Sequence, residues 1–110
     1  MKAAPGDETP LGSFEEQVLL AVLRTGDDAY GMCVRREIEE VTGRDVAVGA
    51  VYATLDRLES KALVSSRRAE KEGVSRRLFA VTTAGARALA ETRAMRERLW
   101  RGVELKSLLA

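Results

Sequence analysis

The stretch from Val48 to Ala62 constrains this chain more than any other. Val48, Val51, Tyr52, Leu55, Leu58 and Ala62 fall at offsets 0, 3, 4, 7, 10 and 14. That is the period of a helix with one apolar stripe turned to a core. The other side carries Gly49, Ala50, Ala53, Thr54, Arg57 and Lys61, mostly small residues with positive charge toward the C-terminal half. Immediately afterwards the pattern becomes strand-like. Leu63–Arg68 and Arg77–Thr82 flank Glu70-Lys71-Glu72-Gly73, which reads as a hairpin turning near Gly73.

The remaining elements arrange themselves around that helix and hairpin. Ser13-Phe14-Glu15-Glu16 has the form of a capping box, with Ser13 as the cap, and the apolar run Val18–Leu23 continues the helix to a stop at Gly26. Its apolar residues lie nearly all round, so this helix is expected to be buried between others. A turn over Asp27–Gly31 leads to a second helix, about Met32 to Thr42, with Val34, Ile38 and Val41 on one face and the pairs Arg35–Glu39 and Arg36–Glu40 on the other. Thr82 is suited to cap a last helix running from about Thr83 to Val103. The expected fold is mostly α with a small β-hairpin: a flexible arm at 1–10, a winged helix-turn-helix at 11–82 and a C-terminal dimerisation helix at 83–110.

Composition removes several function classes. Apolar residues make up 45% of the chain and charged residues 32%, as in a soluble globular domain. With no histidine and a single cysteine, Cys33, neither an intrachain disulfide nor the usual tetrahedral zinc set can be assembled. The commonest general base and the Ser-His and Cys-His pairs are absent as well, and no Gly-rich phosphate loop appears. No enzyme activity, metal or cofactor is therefore expected. The longest apolar run is too short to span a bilayer, and the first residues lack the apolar stretch of a secretory signal, so a cytoplasmic location without membrane contact is expected. Cys33 reads first as a small buried residue and second as a redox sensor.

The net charge of +1 hides a division along the chain. Residues 1–30 carry two basic and six acidic groups. Residues 63–82 carry Arg67, Arg68, Lys71, Arg76 and Arg77 against Glu70 and Glu72, and residues 83–110 carry six basic groups against three acidic. Phosphate binding needs such a local positive surface rather than a basic whole. Two helices joined by a turn can set the second in a major groove, and an arginine-bearing ribbon beside it can reach the adjacent backbone or minor groove. Double-stranded DNA is the expected partner.

The ordered set of motifs across residues 11–85 resembles the PadR-like transcription regulators. It consists of Leu11-Gly12 before the first helix, Tyr30-Gly31 opening the second, and Gly49, Tyr52, Leu55 and Arg57-Leu58-Glu59 in the third. Leu63-Val64 and Val81-Thr82-x-x-Gly85 complete it. The resemblance implies a homodimeric winged-helix protein, usually a repressor on a roughly palindromic operator, with the dimer built from the first and last helices. A chain this short corresponds to members with a single helix after the wing. Four positions depart from the family pattern. Ala50 and Ala53 stand where threonine and proline are frequent, Ala62 replaces a glycine, and Phe79 replaces a wing tyrosine.

The candidate DNA contacts are accordingly Gly49, Ala50, Tyr52, Ala53, Thr54 and Arg57 on the helix and Arg67, Arg68, Lys71, Arg76 and Arg77 on the wing. Phe14 with Met95, Leu99, Trp100 and Val103 forms the candidate dimer interface. Trp100 has a second reading, as a flat wall for a planar small-molecule effector at that interface. The rival for the whole chain is a winged helix that binds a protein partner through the third helix without DNA.

Overall fold

A computed structural model describes residues 11–110, so the expected arm at 1–10 lies outside the described residues. The elements run α1 (Ser13–Thr25), a single 3-10 turn (Gly26–Asp28), α2 (Gly31–Thr42), α3 (Val48–Ser60), β1 (Val64–Lys71), β2 (Val74–Val81), α4 (Thr83–Trp100) and a short α5 (Lys106–Leu109). This is a mostly helical winged-helix fold with a two-stranded antiparallel hairpin and a C-terminal helix.

The core lies where α1, α2, α3 and the base of the hairpin meet. Val18, Leu19 and Val22 of α1, Val34 and Ile38 of α2, and Val51, Leu55 and Leu58 of α3 pack there with Leu63, Val64 and Phe79. Val51, Leu55 and Leu58 are fully buried, as their spacing on one helix face requires. Leu63 and Val64 bring the chain from α3 into β1. The Phe79 amide donates to the Ala29 carbonyl at 2.9 Å, and Tyr30 pairs with Leu78, so the segment before α2 lies along the edge of β2.

Several local expectations shift. The cap of α1 is Gly12 rather than Ser13, and its amide donates to Glu15 Oε1 at 3.0 Å, so the glutamate half of the box operates one residue earlier than the serine pattern suggested. Leu20 and Leu23 are exposed, because the face of α1 that carries them lies beside α4 and is only partly covered. Val41 is exposed too, on the last turn of α2, where the core has already ended. Arg35–Glu39 forms at 3.5 Å, whereas Arg36–Glu40 is not among the ion pairs of the described residues. Val103 lies beyond α4, which ends at Trp100 before a turn at Arg101–Gly102.

The helix-to-hairpin junction explains two of the sequence motifs. A Cβ at Gly85 would stand 2.1 Å from the Leu63 carbonyl oxygen, so α4 can only cross the α3–β1 corner with glycine there. Thr82 Oγ1 accepts from the Gly85 amide at 3.0 Å, as expected of the cap, and donates to the Ala62 carbonyl at 2.7 Å. Ala62 itself does not extend the helix. It sits at φ 63°, in the left-handed region, while the Leu63 amide closes back on the Leu58 carbonyl.

Candidate nucleic-acid interface

The outer face of α3 is open and smooth. Gly49, Ala50 and Ala53 are exposed along it, and Val48 and Tyr52 stand at its margin, each a little over one-third exposed. The Tyr52 ring lies across the first turn of α2, where a Cβ on Gly31 would come within 2.2 Å of its Cζ. Tyr30-Gly31 and Tyr52 are therefore one contact: the glycine lets the ring of α3 lie flat on α2 and sets the two helices close together.

Thr54 departs from expectation. It is 3% exposed, because three residues after Val51 and four before Leu58 it faces inward with them. Its hydroxyl accepts from Arg57 Nη2 at 3.3 Å, which leaves it unavailable on the outer face. Arg57 also approaches Glu15 Oε2 at 3.6 Å while remaining half exposed. Lys61 reaches the same carboxylate oxygen at 2.9 Å. Partial burial of Glu15 works to raise its pKa, but the Gly12 amide, Lys61 and Arg57 together outweigh it and hold the carboxyl below its ordinary value.

The hairpin turns on two residues, Glu72 and Gly73, both at positive φ, with Lys71 paired to Val74. Its strands run longer than the sequence pattern indicated. Directly opposed residues share a face, so the register sorts the basic side chains. Arg68 and Arg77 face one way, with Ser66 and Phe79. Arg67, Lys71 and Arg76 face the other. Arg76 lies over the Tyr30 ring, 4.1 Å from its centroid. Arg67, Arg68 and Lys71 are exposed and form no ion pair among the described residues.

Arg77 is placed differently from the other four. Its Nη1 lies 2.9 Å from Asp56 Oδ1 and its Nη2 pairs with Glu59, both on α3. The guanidinium also sits over Phe79, which is buried. Desolvation opposes its charge, but the hydrogen bonds to Asp56 and Glu59 dominate and raise its pKa further. The sequence contains this arrangement as two acids three apart on α3, Asp56 and Glu59. Nothing local indicates which basic residue folds back onto them.

The candidate dimer residues do not form one surface within the chain. Leu99 and Trp100 at the far end of α4 and Val103 just beyond it are all more than half exposed, and Met95 is half-buried. Phe14 instead packs partly against the core and lines a hollow with Val46, Ala47 and Ala50. The α1 residues beside α4 are Glu16, Leu20 and Leu23, with Arg96 bonded to Glu16 at 2.6 Å. Beyond Val103, Leu105, Leu108 and Leu109 are also exposed apolar residues, which helical spacing in α4 did not indicate.

The family model for the transcriptional regulator PadR-like family matches residues 19–91. Among solved structures, RosR of H. salinarum superposes with a TM-score of 0.68 at 26% identity, covering 86% of this chain and 81% of that one. A PadR family transcriptional regulator from Eggerthella lenta gives 0.66 at 26% identity, covering 84% and 80%. A PadR family regulator from Clostridium difficile gives 0.59 at 23% identity, covering 86% and 98%, and supports the fold alone. No curated protein matches the sequence significantly. No helix among the described residues is long and apolar enough to cross a membrane.

Proposed function

The chain belongs to the PadR-like family of transcriptional regulators, and from that premise we propose that it is a sequence-specific double-stranded-DNA-binding repressor acting as a homodimer in the cytoplasm. The observation that carries this reading is the pairing of an open, small-residue face on α3 with three exposed, unpartnered basic side chains on the adjoining wing. Gly49, Ala50 and Ala53 allow α3 to approach a groove floor closely. Tyr52 and Arg57 border that face, and Arg67, Arg68, Lys71 and Arg76 lie where a ribbon would meet phosphate. With few polar groups on the helix, the phosphate term supplies most of the affinity and base reading is sparse.

A second copy completes the mechanism. The exposed Leu99, Trp100 and Val103, joined by Met95, are the surface that a partner's last helix would cover. Two α3 helices then lie in successive major grooves of a palindromic operator, about 34 Å apart on one face of the duplex. A small planar effector held against Trp100 at that interface would act by altering the spacing. The rival reading, a protein-binding module, draws on the same scarcity of polar groups on α3.

Titration of the protein with duplex from its own upstream region, at two salt concentrations, decides between them. Specific binding with a steep salt dependence supports the repressor. Absence of binding at both concentrations favours the protein-interaction module. A stable monomer at micromolar concentration in sedimentation would overturn the dimer.

A further inference from the structure

Asp56 and Glu59 stand on α3 on the side adjoining the wing, where acidic groups would repel a phosphate backbone. Both are taken up by Arg77. Ser66 of β1 ties the cluster together: its hydroxyl donates to Glu59 Oε2 at 2.7 Å, and Arg77 Nε approaches the Ser66 oxygen at 3.3 Å. Phe79 lies beneath the guanidinium. An arginine engaged by two carboxylates adds little free positive charge, in contrast to Arg67, Arg68 and Lys71.

The position of this cluster along the hairpin matters. Phe79 is the last buried residue before the strands leave the core, and from Arg68 and Arg77 to the tip no residue is buried. A two-stranded ribbon without a packed face is weakly held on its own. Arg77 on one face and Arg76 over Tyr30 on the other grip it where it emerges.

Resting on the DNA-binding reading above, we infer that Asp56, Glu59, Ser66 and Arg77 form a clamp that fixes the angle of the wing to α3. Arg77 is a positioning residue for recognition and not itself a phosphate contact. Its bidentate fork spans the two acids in a way that a lysine's point charge does not.

Charge and position predict opposite signs, which makes the clamp testable. Asp56→Asn/Glu59→Gln removes two negative charges beside the DNA face. By charge alone it should bind every duplex more tightly. Loss of the clamp should instead lower affinity for a duplex selected from a random pool by the wild-type protein by about tenfold, comparable to the loss of one correctly read base pair. Affinity for a random duplex should hold or rise. Arg77→Lys, which keeps the charge, should produce the same loss of specificity, and hydroxyl-radical footprints of both variants should lose protection on the flank under the wing. Thermal melting checks that each variant is folded, and Arg77→Lys alone suffices if the double variant is not. Unchanged or tighter specific binding, with the flank still protected, overturns the clamp alone. A wild-type protein that selects no duplex overturns the DNA reading and the clamp with it.

Discussion

At the scale of single residues, close approaches and unusual dihedrals explain more than residue type. Ala62 occupies a left-handed position that glycine adopts without strain. Ala62→Gly is therefore expected to stabilise the protein by about 0.5–1 kcal/mol, read as a higher urea midpoint at unchanged slope. Gly31→Ala meets the opposite fate. Its Cβ would enter the Tyr52 ring, so a loss of about 1–3 kcal/mol is expected, largely relieved when Tyr52→Ala is added. Glu15 brings a pH dependence. Because its folded pKa lies below the ordinary 4.5, its stabilising effect is complete above that pH and is lost as pH falls through the folded value. Glu15→Gln should flatten the acid limb of the stability profile; an unaltered limb would count against the Gly12–Lys61–Arg57 arrangement.

At the scale of elements, α3 and the hairpin divide the work. The stripe Val51, Leu55 and Leu58 was legible from period alone, and truncating Leu55 to alanine should cost about 2–5 kcal/mol in chemical denaturation. The outward face was less legible. Thr54 looks available by its chemistry, but helix geometry turns it inward with Val51 and Leu58. On the wing, alternation showed that five basic residues could not share a face; only the register assigned Arg68 and Arg77 to one and Arg67, Lys71 and Arg76 to the other. Charge reversal of Arg67 and Arg68 should weaken binding to all duplexes alike and reduce the salt slope by about one per lost phosphate contact. Binding unchanged by both reversals would leave the wing a solvated ribbon.

At the scale of the whole molecule, α4 reaches beyond the body of the fold. Only Gly85 and Thr92 of its 18 residues are buried, and its end presents Leu99 and Trp100 to solvent, followed by Val103, Leu105, Leu108 and Leu109. An apolar surface of that kind favours a partner. Leu99→Asp/Trp100→Ser is expected to shift the protein toward monomer in sedimentation while leaving its helical signal intact, and to weaken operator binding by removing the second half-site contact. A variant that remains dimeric would place the interface elsewhere, with Leu20 and Leu23 of α1 the next surface to alter.

Periodicity, turn chemistry and the order of motifs determined the helices, the hairpin and membership of the family, because those depend on residues close together in the chain. The capping of α4 by Thr82 belongs to the same class. Only the tertiary structure decided which charges remain free. Arg77 and Arg68 are cross-strand neighbours on one face of the hairpin, yet one is bound to Asp56 and Glu59 and the other is open to solvent. The difference arises from where β2 passes α3, about 20 residues away in sequence. Local pattern carries no record of such a distance, since it is set by how the helices and hairpin pack around Leu55, Leu58 and Phe79.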